Sequence, residues 1–187
     1  MGITYLKRAT KTGEQSLSDV RELVQEILEG IKLGGDKRAL EFARKFDNYK
    51  GKIILTNEDI LEASEKVSQR IKDDIQFAYE NVKKFAEAQK ATLKDFNVDI
   101  IPEFTTGQKY IPCNSVGCYI PGGRYSHVAS AIMTVTTAKV AGCGHISACS
   151  PPRPNIGINP AIIYTADLCG ADTILAMGGV QAIASMT

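Results

Sequence analysis

Four residues of this 187-residue chain have types and spacing that suit chemistry, and they fall around two glycine pairs. Tyr119 stands two residues before Pro121-Gly122-Gly123, and Arg124 and His127 follow that turn. Gln181 stands two residues after Gly178-Gly179. Each pair follows a short apolar run and precedes a segment of helix length, which is the strand–turn–helix grammar of a parallel α/β unit. Glycine there lets the backbone turn with positive φ and brings bare N–H groups close to whatever sits above them. In a parallel sheet both turns lie at the carboxyl edge of the strands, where ligands bind. A flat tyrosine ring can stack on a base, and a glutamine amide can pair with a ring edge or a ribose. The same pairs also serve as tight connections, and neither is the G-x-G-x-x-G dinucleotide fingerprint. Arg124 can hold a phosphate, carboxylate or sulfonate, and His127 can act as a base or a donor.

The elements that must position these residues are read from composition and period. Of the 43 charged residues, 35 lie in 1–96, whereas all seven prolines and all five cysteines lie beyond. The first part therefore reads as solvated helices (1–96), followed by linking strands (97–115) and a partial Rossmann-like domain (116–187). The fold class is α/β: N-terminal helices, then a parallel sheet of three βα units.

In the first part, Ser16-Leu17-Ser18-Asp19 reads as a helix cap. Val20, Leu23, Val24, Ile27, Leu28 and Ile31 then recur on one face, and Gly34-Gly35 ends the helix. Asp36 caps a second helix with Leu40, Ala43 and Phe46 facing in. Thr56-Asn57-Glu58-Asp59 reads as the capping box of a third. A long helix from Ile71 to Leu93 places Ile71, Ile75, Ala78, Val82 and Phe85 on its inner face. Strands are expected at Val98–Phe104 and Gly107–Ile111, turning at Thr106-Gly107. The sheet then takes Val116–Ile120, His145–Ser150 and Ala171–Ala176. The β-branched run Thr134–Thr137 opposes helix, yet the span Ala129–Ala141 is long for a strand and stops at Gly142. Pro160 suits the first position of a further helix opened by Asn159.

Composition excludes several classes. A net charge of +1 gives no reason for nucleic acid or an anionic membrane as partner, and no apolar run can span a bilayer. Five cysteines without a C-x-x-C pair read as reduced, mostly buried thiols of a cytoplasmic protein. Two histidines and no carboxylate pair assemble neither a metal site nor an acid–base mechanism.

The ordered series V-G-C-Y-I-P-G-G, S-A-I-M, A-K-V-A-G-C, S-P-P, N-P-A-I, A-D-L-C-G-A-D and G-G-V-Q-A-I-A resembles the histidinol dehydrogenase family. D-V-R-E-L-V, G-G-D-K-R-A-L-E-F-A-R-K-F-D and N-V-K-K-F-A-E-A-Q extend the resemblance over nearly the whole chain. The resemblance implies a zinc- and NAD-dependent enzyme that oxidises an alcohol to a carboxylate through an aldehyde in two NAD-dependent steps. It implies paired Rossmann-like domains in an intertwined homodimer. It makes Tyr119 and Gln181 NAD-binding positions, with Pro121, Gly122 and Gly123 beside them. The family's zinc ligands and Glu-His acid–base pair have no counterpart in 1–187, so the chain reads as a truncated front portion expected to oxidise no alcohol alone. After Pro-Gly-Gly the residues Arg124 to Ser130 depart from the histidine-biosynthetic pattern. They resemble instead the branch that oxidises other small alcohols, including dihydroxypropanesulfonate, and Arg124 and His127 become the substrate-proximal candidates. The rival expectations are a non-catalytic nucleotide-binding module and an oligomerisation module.

Overall fold

The computed structural model describes residues 14–122 and 125–187. The chain opens with α1 (Glu14–Asp47), two helical stretches that meet at a kink at Gly35, where φ is 55° and ψ −148°. The first helix thus ends at Gly34-Gly35, as the sequence reading expects, and a second follows directly. The helix starts before Ser16, so Ser16–Asp19 lies inside its first turns and not ahead of them. In the first half of α1 only Ile27 of the expected stripe is buried, and Val20, Leu23 and Leu28 face outward. In the second half Ala39, Phe42 and Ala43 are buried and Phe46 is exposed, its ring stacked on Phe42.

Helix α2 (Asn57–Glu65) starts at the expected capping box. Thr56 Oγ1 accepts from the Asp59 amide, and Asp59 accepts from the Thr56 amide. Helix α3 (Gln69–Ala91) follows, with Ile75 and Ala86 buried; Ile71 and Phe85 are exposed, against expectation. Strands β1 (Phe96–Ile101) and β2 (Phe104–Gln108) form an antiparallel hairpin. Its turn is at Pro102-Glu103 and not at Thr106-Gly107; Gly107 pairs with Asn97 inside the ladder. Pro102 brings the fixed φ of a turn's first corner, and Glu103 takes the second at φ 68°.

The parallel sheet is β3 (Ser115–Tyr119), β4 (His145–Ser150) and β5 (Thr173–Ala176), side by side in that order. Helix α4 (Val128–Ala141) joins β3 to β4, α5 (Pro160–Cys169) joins β4 to β5, and α6 (Gly179–Ser185) follows β5. Glycines at left-handed φ close α4 and α5, at Gly142 and Gly170. The Asn159 side chain accepts from the Ala161 amide at the start of α5, with Pro160 behind it. The threonines of α4 are accommodated because Thr134 and Thr137 donate back to the carbonyls of Ser130 (2.7 Å) and Met133 (2.6 Å).

Side chains alternate across the sheet. Cys118, Ile120, Ile146, Ala148, Ile174 and Ala176 belong to one core with α4 and α5, while Cys149 and Leu175 belong to a second with α1 and α6. Helices thus cover both faces, as a parallel sheet requires. The N-terminal helices are part of this packing: α1 lies on α6, α2 on α5 and α3 on α4. Residues Ile53–Leu55 run antiparallel beside β5, with Leu55 donating to the Ile174 carbonyl and Ala176 to that of Ile53. Among the described residues, no helix is long and apolar enough to cross a membrane.

Candidate site at the carboxyl edge

The carboxyl ends of β3, β4 and β5 bring three turns together, and the bare glycines show how closely. A Cβ on Gly122 would stand 2.7 Å from Ser150 Oγ and 3.0 Å from the Pro151 carbonyl. One on Gly178 would stand 2.8 Å from the Pro151 ring. The turn after β4 is therefore wedged between the two glycine turns, and a side chain at either position would push them apart. Gly179 has φ 64° and is exposed, at the start of α6.

Tyr119 ends β3 half-buried, and its hydroxyl accepts from the Gly179 amide at 3.4 Å. Tyr119 and Gly179, 60 residues apart in sequence, thus link the end of β3 directly to the second glycine turn. Pro121 is exposed and Gly122 half-buried. Gln181 is only 2% exposed; its amide donates to Asp47 Oδ2 at 3.4 Å. The sequence reading singled out Gln181 as a direct contact to a ligand, and here its side chain is folded beneath the turn. Tyr119, Gly122 and Gln181 thus come to one edge. His127 does not join them through a hydrogen bond of its ring: it is the exposed residue before α4, where its carbonyl accepts from the Ser130 and Ala131 amides. Gly123 and Arg124 lie outside the described residues.

Two residues of this edge went unnoticed in the sequence. Asp47, the last residue of α1, accepts from the Gly178 amide at 3.1 Å as well as from Gln181. Burial pushes its carboxyl above the ordinary range, against the pull of these two donors. Ser150 ends β4, and its hydroxyl is buried with no hydrogen-bond partner among the described residues, directly under Gly122. The only sequence signal for Asp47 was its place at the end of F-A-R-K-F-D. Ser150 was part of S-P-P.

The bare glycine turns, the stackable Tyr119 ring and the orphaned Ser150 hydroxyl fit a nucleotide in chemistry. Metal is different: among the described residues, no group of three His, Cys, Asp or Glu is placed to hold an ion. A separate cleft of about 790 Å³ lies between the ends of α3 and α4 and Tyr110–Pro112. It includes none of these residues.

The sequence model of the histidinol dehydrogenase family matches residues 10–187. The chain belongs to the histidinol dehydrogenase family. Among its relatives in that family, a sulfopropanediol 3-dehydrogenase from Ruegeria pomeroyi is 60% identical over 186 residues, which cover 100% of this chain and 43% of that protein. A histidinol dehydrogenase homolog from Pelagibacter ubique is 51% identical over 100% of this chain and 44% of its own. A histidinol dehydrogenase from Methanosarcina barkeri is 36% identical over 91% of this chain and 39% of its own. The crystal structure of histidinol dehydrogenase from Elizabethkingia anophelis superposes with a TM-score of 0.83 at 32% identity, covering 96% of this chain and 40% of that one. The chain thus spans less than half the length of these family members, and the α/β architecture expected from sequence is that of the family.

Proposed function

We propose that this chain forms the cofactor-side portion of a dehydrogenase that oxidises a small anionic diol, of the dihydroxypropanesulfonate class, with NAD as hydride acceptor. The observation that carries the reading is the 60% identity, over the whole chain, to a protein named for sulfopropanediol, against 36% to a named histidinol dehydrogenase. The residues after Pro121-Gly122 support it. In the sequence Arg124 follows this turn and brings a permanent cation, and a guanidinium suits a sulfonate far better than it suits an imidazole bearing an ammonium group.

In this reading bound NAD would supply the acceptor for the hydride that leaves the alcohol carbon. The chain's own residues would hold it: Tyr119 and Pro121 would offer ring faces, and Gly122 and the Gly178-Gly179 turn would let it approach the backbone. Gln181 braces the second turn from below. The family's zinc and acid–base chemistry is assigned to no residue described here.

The test compares NADH formation by the full-length protein with dihydroxypropanesulfonate and with histidinol. Preference for the sulfonate is expected, and Arg124→Ser is expected to lower kcat/KM for it on the order of 10- to 100-fold, the worth of one charged hydrogen bond. A preference for histidinol overturns the substrate assignment. The absence of NAD-dependent turnover with either alcohol overturns the cofactor reading.

A further inference from the structure

We infer that Asp47 is a positioning residue of the proposed nucleotide edge: its carboxylate fixes the second glycine turn and sets the direction of the Gln181 amide. The inference rests on the nucleotide reading of this edge.

An ionised carboxylate can only accept hydrogen bonds. Asp47 Oδ2 receives two, from the Gly178 amide at 3.1 Å and from Gln181 Nε2 at 3.4 Å. The amide of Gln181 must therefore turn its NH₂ to Asp47 and its carbonyl away. That carbonyl lies under Gly179, 2.9 Å from where a Cβ on Gly179 would sit. The Gly179 amide in turn points at the Tyr119 hydroxyl, 3.4 Å away. One carboxylate at the end of α1 so governs the orientation of Gly178, Gln181 and, through Gly179, the contact to β3.

Nothing in the local sequence of the second turn supplies this. Gly178 precedes α6 without a capping side chain, so its amide depends on an acceptor from elsewhere in the fold. Asp47 comes from 131 residues earlier in the chain. Removing it orphans two donors in a half-buried place and frees the Gln181 amide to rotate by half a turn. Each unsatisfied donor is costly there, and a turn so released presents its backbone to a ligand in many orientations instead of one.

The test uses the full-length protein with Asp47→Ala, Asp47→Asn and, as a control for lost stability, Asp59→Ala, which breaks the cap of α2. NAD affinity is measured by titration calorimetry, and KM for NAD is separated from kcat. Asp47→Ala is expected to weaken NAD roughly 10-fold or more, with KM for NAD rising and kcat less affected. Asp47→Asn keeps an acceptor in place and recovers most of the affinity. Asp59→Ala lowers the unfolding midpoint and leaves NAD affinity unchanged. The proposal is overturned if Asp47→Ala binds NAD like the wild type, if Asp47→Asn is as impaired as Asp47→Ala, or if Asp59→Ala weakens NAD to the same degree. Should Asp47→Ala not fold, Gln181→Met decides, because it removes the amide that Asp47 directs and keeps its length; undiminished NAD affinity there overturns the proposal. A wild-type protein that binds no NAD removes the nucleotide reading itself, and this inference with it.

Discussion

Cys149 sits at the centre of the parallel sheet, fully buried between β3 and β5, and its environment decides what its sulfur can do. Burial pushes the thiol up to about 12, since a thiolate there would have no solvent. Cys118 and Cys169 are raised for the same reason. The nucleophile in thiol chemistry is the thiolate, so these three cysteines are packing residues, as the sequence reading held. Cys113 is exposed, ahead of β3. Alkylation of the native protein at mildly alkaline pH, followed by peptide mapping, is expected to label Cys113 quickly. Cys118, Cys149 and Cys169 are expected to label only after denaturation. Rapid native labelling of Cys149 would show that β4 is not the sealed centre of the sheet.

At the scale of elements, α2 is held at its start by a set of contacts readable from four letters. Asp59 accepts from the Thr56 amide and hydroxyl, both at 2.8 Å, and from Lys52 at 2.9 Å. The Thr56 amide above all, then Lys52, holds the Asp59 carboxyl down at about 2. A lowered carboxylate stabilises the fold above its unfolded value near 3.8 and loses that contribution as pH falls through about 2. Thr56→Ala is expected to cost about 1 kcal/mol in chemical denaturation at neutral pH, with the difference from wild type shrinking as pH falls through that window. A difference that grows on acidification would assign the cap's contribution to something other than the Asp59 carboxylate. The same locality explains which parts of the fold were legible. The capping box, the Gly142 and Gly170 stops and the Asn159-Pro160 start all act within a turn of their own residues. The hairpin turn was misplaced because Pro102-Glu103 contains no glycine, and Gly107 drew the eye to a position that is paired in the ladder. The inner faces of α1 and α3 were misread for a different reason. Period alone gives a stripe, and only the tertiary fold decides that Phe42 and Ala86 are covered while Phe46 and Phe85 are not. The site shows the same division: Tyr119 and the glycine turns were visible as a local motif, and Asp47 was not, because its partners are more than 130 residues away.

On the scale of the whole molecule, apolar surface is distributed unevenly. The sheet and its helices enclose their cores, yet every residue of the β1–β2 hairpin is exposed. On β1, Phe96, Val98 and Ile100 alternate with Asn97 and Asp99, so one face of the hairpin is a row of large apolar side chains 45–58% exposed. A lone two-stranded hairpin is marginal in water, and a row of this kind marks a surface that binds protein. We propose a second copy of the chain as the occupant, as the family resemblance implies, and the aspartate and polar residues on the opposite face leave only one side to be covered. The hairpin also lies outside both cores, including the one Tyr119 packs against, so it can be altered without touching the proposed cofactor edge. The full-length protein is expected to sediment as a dimer or larger, and the pair Val98→Asp with Ile100→Asp is expected to shift it toward monomer at matched concentration. NAD affinity should be retained in that variant, because α1, the Pro151 wedge and both glycine turns belong to one chain. A variant that sediments like the wild type would take the hairpin out of the interface, and a variant monomer that no longer binds NAD would mean that the cofactor edge needs the partner copy to hold its shape.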